Sequence, residues 1–261
     1  MKNLLTDIAG VRVGHAHDAT LASGVTAILF DKPAVASLDI RGGGPGTRDS
    51  ALLDPVNTVD GIDGIALAGG SAFGLDAAGG MQGWLAEQGR GFAIADAVIP
   101  IVPGAIVFDL LNGGNKKWGR FSPYRDLGYA AASAASDDFA LGTVGAGFGA
   151  TTANFKGGLG SASAELPNGV RVAAIAVVNA VGSVTVGDGP WFWSAPYEIG
   201  NEFGGHAMPA TFTDDMRAMR VKGATAATAI ENTTLVAVVT DALLTKAQAQ
   251  RLAMSAQTGF A

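Results

Sequence analysis

The chain contains no cysteine, which removes disulfides, thiolate metal sites and cysteine nucleophiles from consideration at once. Charge is scarce as well: only 15% of residues are Asp, Glu, Lys or Arg, against 48% hydrophobic. A net charge of −6 leaves no basic footprint, so a nucleic-acid partner is not expected; an acidic balance chiefly favours solubility. Long uninterrupted apolar runs are missing too. The stretch 93–111 is broken by Asp96, Pro100, Pro103 and Asp109, and the stretch 170–186 by Arg171 and Asn179, so no membrane partner is expected. The opening residues reach Asp7 before any apolar segment develops, unlike a signal peptide, which makes the cytoplasm the expected location.

What the chain has in excess is glycine, 38 residues, roughly double the usual share of about 7%. Three segments concentrate it: Arg41–Arg48, Gly69–Leu85 and Val144–Ser161. None ends in the Lys-Ser/Thr of a phosphate loop or has dinucleotide-binding spacing, so no cofactor is expected. Gly69-Gly70-Ser71-Ala72-Phe73 resembles a serine nucleophile elbow but carries Phe73 where glycine is required, leaving Ser71 as an alternative nucleophile. His15 and His17 beside Asp18 read as a metal pair or as a solvated loop; without a distant third ligand the loop is preferred and no metal is expected.

Apolar patterning predicts strands at Val11–Val13, Val25–Phe30, Gly64–Ala68, Val170–Val178 and Leu235–Val239, with Gly182–Val186 returning as a hairpin partner of the fourth. Asn179, in the turn of that hairpin, is a buried amide that must find partners or simply a residue satisfying the turn. Helical spacing from Leu75 to Leu85 ends at Gly89, and the alanines of 130–136 suggest a second helix. Asn112–Tyr129 reads as a surface connection or as a pocket-lining loop. Thr245 and Gln248 form a capping box for a last helix that Gly259 would end. With no repeat and no evident linker, one domain over 1–261 is expected.

Asn232-Thr233 stands where the last strand begins. Read from the residues alone it is a turn feeding a strand, or a bond the protein cuts itself. In the second case the freed Thr233 carries hydroxyl and α-amine on one residue. With a reference pKa of about 7.7–8.0, that amine is a usable base near neutral pH.

Several stretches together resemble the DmpA family, the L-aminopeptidase/D-esterase type that includes β-peptidyl aminopeptidases and nylon-oligomer hydrolases. They are Thr6–His15, Arg41–Arg48, Gly69–Ala77, Lys156–Ser163, Asn232–Leu235 and Thr240–Ala242. The resemblance implies an α/β fold, a four-layer αββα sandwich of Ntn-hydrolase-like architecture shared with ornithine acetyltransferases. It implies self-cleavage between Asn232 and Thr233, giving an α chain of 1–232 and a β chain of 233–261, with Thr233 as nucleophile. Asn179 matches the family's oxyanion-stabilising Asn and Tyr124 its pocket Tyr. A catalytic-site Lys found in some members aligns with Asn154, with Lys156 two positions on. The expected activity is an aminopeptidase or amide hydrolase acting on a small peptide, amide or ester, in a homo-oligomer. An acyltransferase of the ornithine acetyltransferase type is the alternative. Family members continue beyond the equivalent of Ala261 with residues that orient the nucleophile, so a truncated sequence or an unprocessed, inactive homologue is also weighed.

Overall fold

The computed structural model describes residues 1–223 and 232–260; residues 224–231, near the end of the expected α chain, and Ala261 lie outside the described residues. Ten strands are present among them: β1 (Val11–Asp18), β2 (Ser23–Ala34), β3 (Thr47–Arg48), β4 (Ile62–Ala68), β5 (Phe92–Ile94), β6 (Ala97–Ile99), β7 (Gly104–Ile106), β8 (Gly158–Glu165), β9 (Arg171–Asn179) and β10 (Thr233–Thr240). The α-helices are α1 (Ala77–Glu87), α2 (Tyr124–Ser133), α3 (Asp214–Arg217) and α4 (Lys246–Ala256).

Strands β1-β2-β4-β7-β3 form one sheet, antiparallel except for the parallel pair β4 and β7. Strands β10-β9-β8 form a second, wholly antiparallel sheet, and β5 and β6 make a separate hairpin. The apolar run of β2 shows how the layers arise. Successive strand residues point to opposite faces. Val25, Ala27 and Leu29 therefore pack with Ala77, Ala78, Met81 and Leu85 of α1 and with Ala131 and Ala132 of α2. Ile28 and Phe30 point the other way, into a cluster that includes Ile175 and Val177 of β9 and Ala237 of β10. Helices, first sheet and second sheet thus lie in succession, which is why β2 reads as continuously apolar rather than alternating.

The two helices approach backbone to backbone. A Cβ on Gly80 would collide with the Arg125 carbonyl, and one on Gly128 with the Ala77 carbonyl. Glycine inside a helix costs about 0.5–1 kcal/mol relative to alanine; here it permits a contact that no larger residue allows. Gly89, with φ +65°, follows α1 as expected of its stop.

Several expectations need correction. His15–Asp18 are not a loop but the second half of β1, paired with Ser23–Thr26. β9 does not pair with Gly182–Val186. Its hairpin partner is β8, a glycine- and serine-rich strand whose weak patterning hid it, joined through a turn in which the Leu166 N–H donates to the Val170 carbonyl (2.8 Å) and Gly169 takes φ +82°. The segment after β9 folds locally instead, with Val186 N–H donating to the Trp191 carbonyl at 2.8 Å. Asn179 is therefore the last residue of a strand, not a turn residue. Tyr124 opens α2 rather than lying in a surface connection. The last helix is capped as read, the Thr245 hydroxyl accepting from Gln248 N–H, but α4 ends at Ala256, before Gly259.

Candidate active site

Antiparallel pairing sets Thr233 directly opposite Asn179, at the end of the β9–β10 ladder. Side chains of directly opposed residues stand on one face of a sheet, their Cβ atoms about 4.5–5.5 Å apart. The face is the inner one: Asn179 shares it with Val177, Ile175 and Ala173, and Thr233 with Leu235, Ala237 and Val239. Asn179 is fully buried, Thr233 half-buried and Asn232 exposed.

A buried amide must be satisfied, and Asn179 recruits three distant parts of the chain to that end. Its Oδ1 accepts from Thr151 N–H (3.0 Å) and from the Lys222 ammonium (3.2 Å), which occupies both lone pairs. Its Nδ2 donates to the Phe108 carbonyl at 3.0 Å, leaving the second Nδ2 proton without an acceptor among the described residues. The turn that follows holds both approaches to residues 224–231. The Val181 N–H donates to Asn232 Oδ1 (3.1 Å), and the Val181 carbonyl accepts from Lys222 N–H (2.8 Å).

Tyr124 lies elsewhere. It is fully buried at the start of α2, and its hydroxyl donates to Ser23 Oγ at 2.9 Å. Ser23 in turn donates to Asp109 Oδ2 (2.6 Å), while Asp109 Oδ1 accepts from Gly70 N–H (2.7 Å). Burial raises the pKa of Asp109, opposed by those hydrogen bonds and by Lys116, and burial raises that of Tyr124, which stays protonated. Gly70 has φ +82°, and a Cβ there would run into the Tyr124 ring, so the position demands glycine. The structure thus brings Thr233, Asn232 and Asn179 together and places Tyr124 in a separate cluster. The two meet at Phe108-Asp109, where consecutive residues serve Asn179 and Ser23.

Beside Thr151 opens a cavity of about 190 Å³ lined by Ala19, Ala22, Asn112, Phe148, Thr151 and Lys156, among others. The Lys156 ammonium sits 5.9 Å from the centroid of the Phe148 ring, whose other neighbour is the stacked His17 imidazole at 4.3 Å. Asn154 accepts from Ser183 Oγ (2.8 Å) and donates to Thr185 Oγ1 (3.3 Å). His15 is engaged at both nitrogens, by Thr26 Oγ1 (3.0 Å) and the Ala140 carbonyl (3.1 Å), and burial lowers its pKa to about 4. Ser71 takes φ +52°, a left-handed conformation uncommon for a residue with a Cβ, and its N–H donates to the Val107 carbonyl (3.0 Å).

Four residues of this site escaped the sequence reading. Asp109 carried a signal, a lone acid in an apolar stretch. Ser23, Thr151 and Lys222 carried none, since a serine, a threonine and a lysine in polar or mixed surroundings are unremarkable until the fold brings them to a buried partner.

The model of peptidase family S58 matches residues 3–261. An uncharacterized aminopeptidase of Mycobacterium bovis is 43% identical over 267 aligned residues, spanning 99% of this chain and 76% of that protein. Among solved structures, the PH0078 protein of Pyrococcus horikoshii superposes with a TM-score of 0.70 at 23% identity, covering 99% of this chain and 69% of the other. The L-aminopeptidase D-Ala-esterase/amidase of Ochrobactrum anthropi, described as a new variant among the Ntn hydrolase fold, gives 0.65 at 20% identity, covering 99% and 68%. At such identities the likeness of the two structures establishes the fold: the stacked sheets belong to the αββα architecture of Ntn hydrolases.

Proposed function

The chain belongs to peptidase family S58, and from that premise we propose that it is a self-processing N-terminal-nucleophile hydrolase that releases N-terminal residues from small peptides, amides or esters. The observation that carries the reading is the pairing of Thr233 with a buried, pinned Asn179 across the β9–β10 ladder. The Thr233 hydroxyl first attacks the Asn232 carbonyl, moving the acyl group from nitrogen to oxygen; water then releases the two chains. In the cut enzyme the Thr233 amine takes the hydroxyl proton, Oγ1 attacks the substrate carbonyl, and the acyl-enzyme that forms is hydrolysed. Asn179 meets the developing oxyanion with its uncommitted Nδ2 proton. An amide donor aimed at such charge contributes about 10²–10³ in rate.

Tyr124 acts in this reading from behind. Its hydroxyl fixes Ser23 and so Asp109, which holds the adjoining Phe108 carbonyl against Asn179 Nδ2. The cavity beside Thr151 takes the acyl group of the substrate, its apolar wall formed by Ala19, Ala22 and Phe148. Soluble, cytoplasmic homo-oligomers are the form in which we expect the enzyme to work.

The test is a denaturing gel and an intact mass. The wild-type chain yields two fragments split between Asn232 and Thr233, and turns over aminoacyl p-nitroanilides. Thr233→Ala gives one band and loses about 10³-fold or more of the activity. A wild-type chain that stays whole while fully active removes the reading.

A further inference from the structure

The side chain of Lys222 does something that composition could not announce: it places a cation on the amide that the proposed oxyanion site depends on. Its Nζ is 3.2 Å from Asn179 Oδ1, and its backbone N–H is tied to the Val181 carbonyl at 2.8 Å. The same Val181 residue, through its N–H, holds Asn232 Oδ1. Val181, two residues beyond Asn179, therefore anchors both Lys222, just before residues 224–231, and Asn232, directly after them. After a cut at Asn232–Thr233 the Lys222 anchor does not depend on the scissile bond, so the contact with Asn179 is available to the mature enzyme as well as to the uncut chain.

We propose that Lys222 is a positioning residue for Asn179 and Thr233, holding the Asn179 amide with its nitrogen as the face offered to the oxyanion and supplying a fixed positive charge beside the nucleophile. This deepens the hydrolase reading and rests on it.

Two physical effects follow. The first is geometric. Thr151 N–H alone already disfavours the flipped amide, because a flip would set donor against donor; the ammonium adds a second, charge-assisted contact to the same oxygen. It draws electron density toward Oδ1 and makes Nδ2–H a better donor in a site where Asn179 is wholly screened from water. The second effect is electrostatic. Thr233 is the direct ladder neighbour of Asn179, and a nearby like charge disfavours protonation of an amine. The ammonium of Lys222 thus keeps more of the freed Thr233 amine in its neutral, proton-accepting form.

The experiment compares Lys222→Met and Lys222→Arg with the wild-type full-length chain. It follows the appearance of the two fragments with time, and kcat and KM against pH on an aminoacyl p-nitroanilide. Thermal unfolding of each variant reports on folding. The expected result for Lys222→Met is slower cutting and a kcat lower by about tenfold with KM little changed, the acid limb of the kcat profile moving up by about half a pH unit or more. Lys222→Arg, which keeps charge and donor, restores most of the rate. If Lys222→Met blocks cutting altogether, relief of the block by Lys222→Arg supports the proposal, and a block shared by both variants overturns it. Wild-type kcat and an unmoved acid limb in Lys222→Met also overturn it while leaving the hydrolase reading intact. An uncut, inactive wild-type chain removes the reading and this inference together.

Discussion

Asp109 and Asn179 are both buried polar side chains, and consecutive residues of one segment, Phe108 and Asp109, connect them. Around Asp109 the hydrogen bonds run inward in sequence: Tyr124 to Ser23, Ser23 to one carboxylate oxygen, Gly70 N–H to the other. The cluster consumes its own donors and holds α2, β2 and the turn after β4 together. Around Asn179 the oxygen is saturated but, among the described residues, the nitrogen is not, and half-buried Thr233 lies across the ladder. A closed network stabilises a fold; one left with a spare donor next to the proposed nucleophile is equipped to meet charge. Substitutions that separate these two kinds of polar burial are the sharpest tests.

Asn179→Ala carries the largest expected effect. In the hydrolase reading it lowers kcat by about 10²–10³. It also strands Thr151 N–H and the Phe108 carbonyl, at about 1–3 kcal/mol each. Stopped-time assays on the cut enzyme, together with denaturant unfolding, check both. A variant that is only less stable, with kcat preserved, would place Asn179 in the same class as Asp109.

Tyr124→Phe should act mainly on stability. Removing the hydroxyl leaves Ser23 without its donor, for a loss of about 1 kcal/mol and a correspondingly lower melting temperature. Turnover should change by only about threefold, since the tyrosine reaches Asn179 through three intermediaries. A kcat defect as large as that of Asn179→Ala would merge the two clusters into one catalytic unit.

The smallest expected effect is acid sensitivity in β1. His15 is held neutral by burial, its pKa lowered from 6.5 to about 4. The unfolded chain therefore takes up a proton that the folded chain refuses. Stability from this site is complete above pH 6.5 and falls as the pH drops from there toward 4. His15→Gln should flatten that part of a stability-against-pH curve measured by urea unfolding; an unchanged slope would assign the acid sensitivity to other groups.

Local signals were legible where local physics decides. The β-branched run after Thr233 reads as a strand and is one, and Thr245 with Gln248 reads as a capping box and closes one. The glycine-rich β8 was hidden, because alternating Gly, Ser and Ala carry little hydrophobic contrast, although Asn168-Gly169 marked the turn that pairs it with β9. His15–Asp18 looked like a loop because polar residues at a strand's end resemble one until a partner strand supplies the hydrogen bonds.

At Asn232–Thr233 the division is clear. The sequence alone determined that a small hydroxyl residue, preceded by Asn, opens a strand, because periodicity and β-branching are properties of consecutive residues. Only the tertiary structure decided that this strand pairs with β9 in the register that sets Thr233 against Asn179, and that Thr151, Phe108 and Lys222 converge on that one amide. Register follows from which faces must be buried between the two sheets. That depends on residues far apart in the chain and on no local pattern of their own.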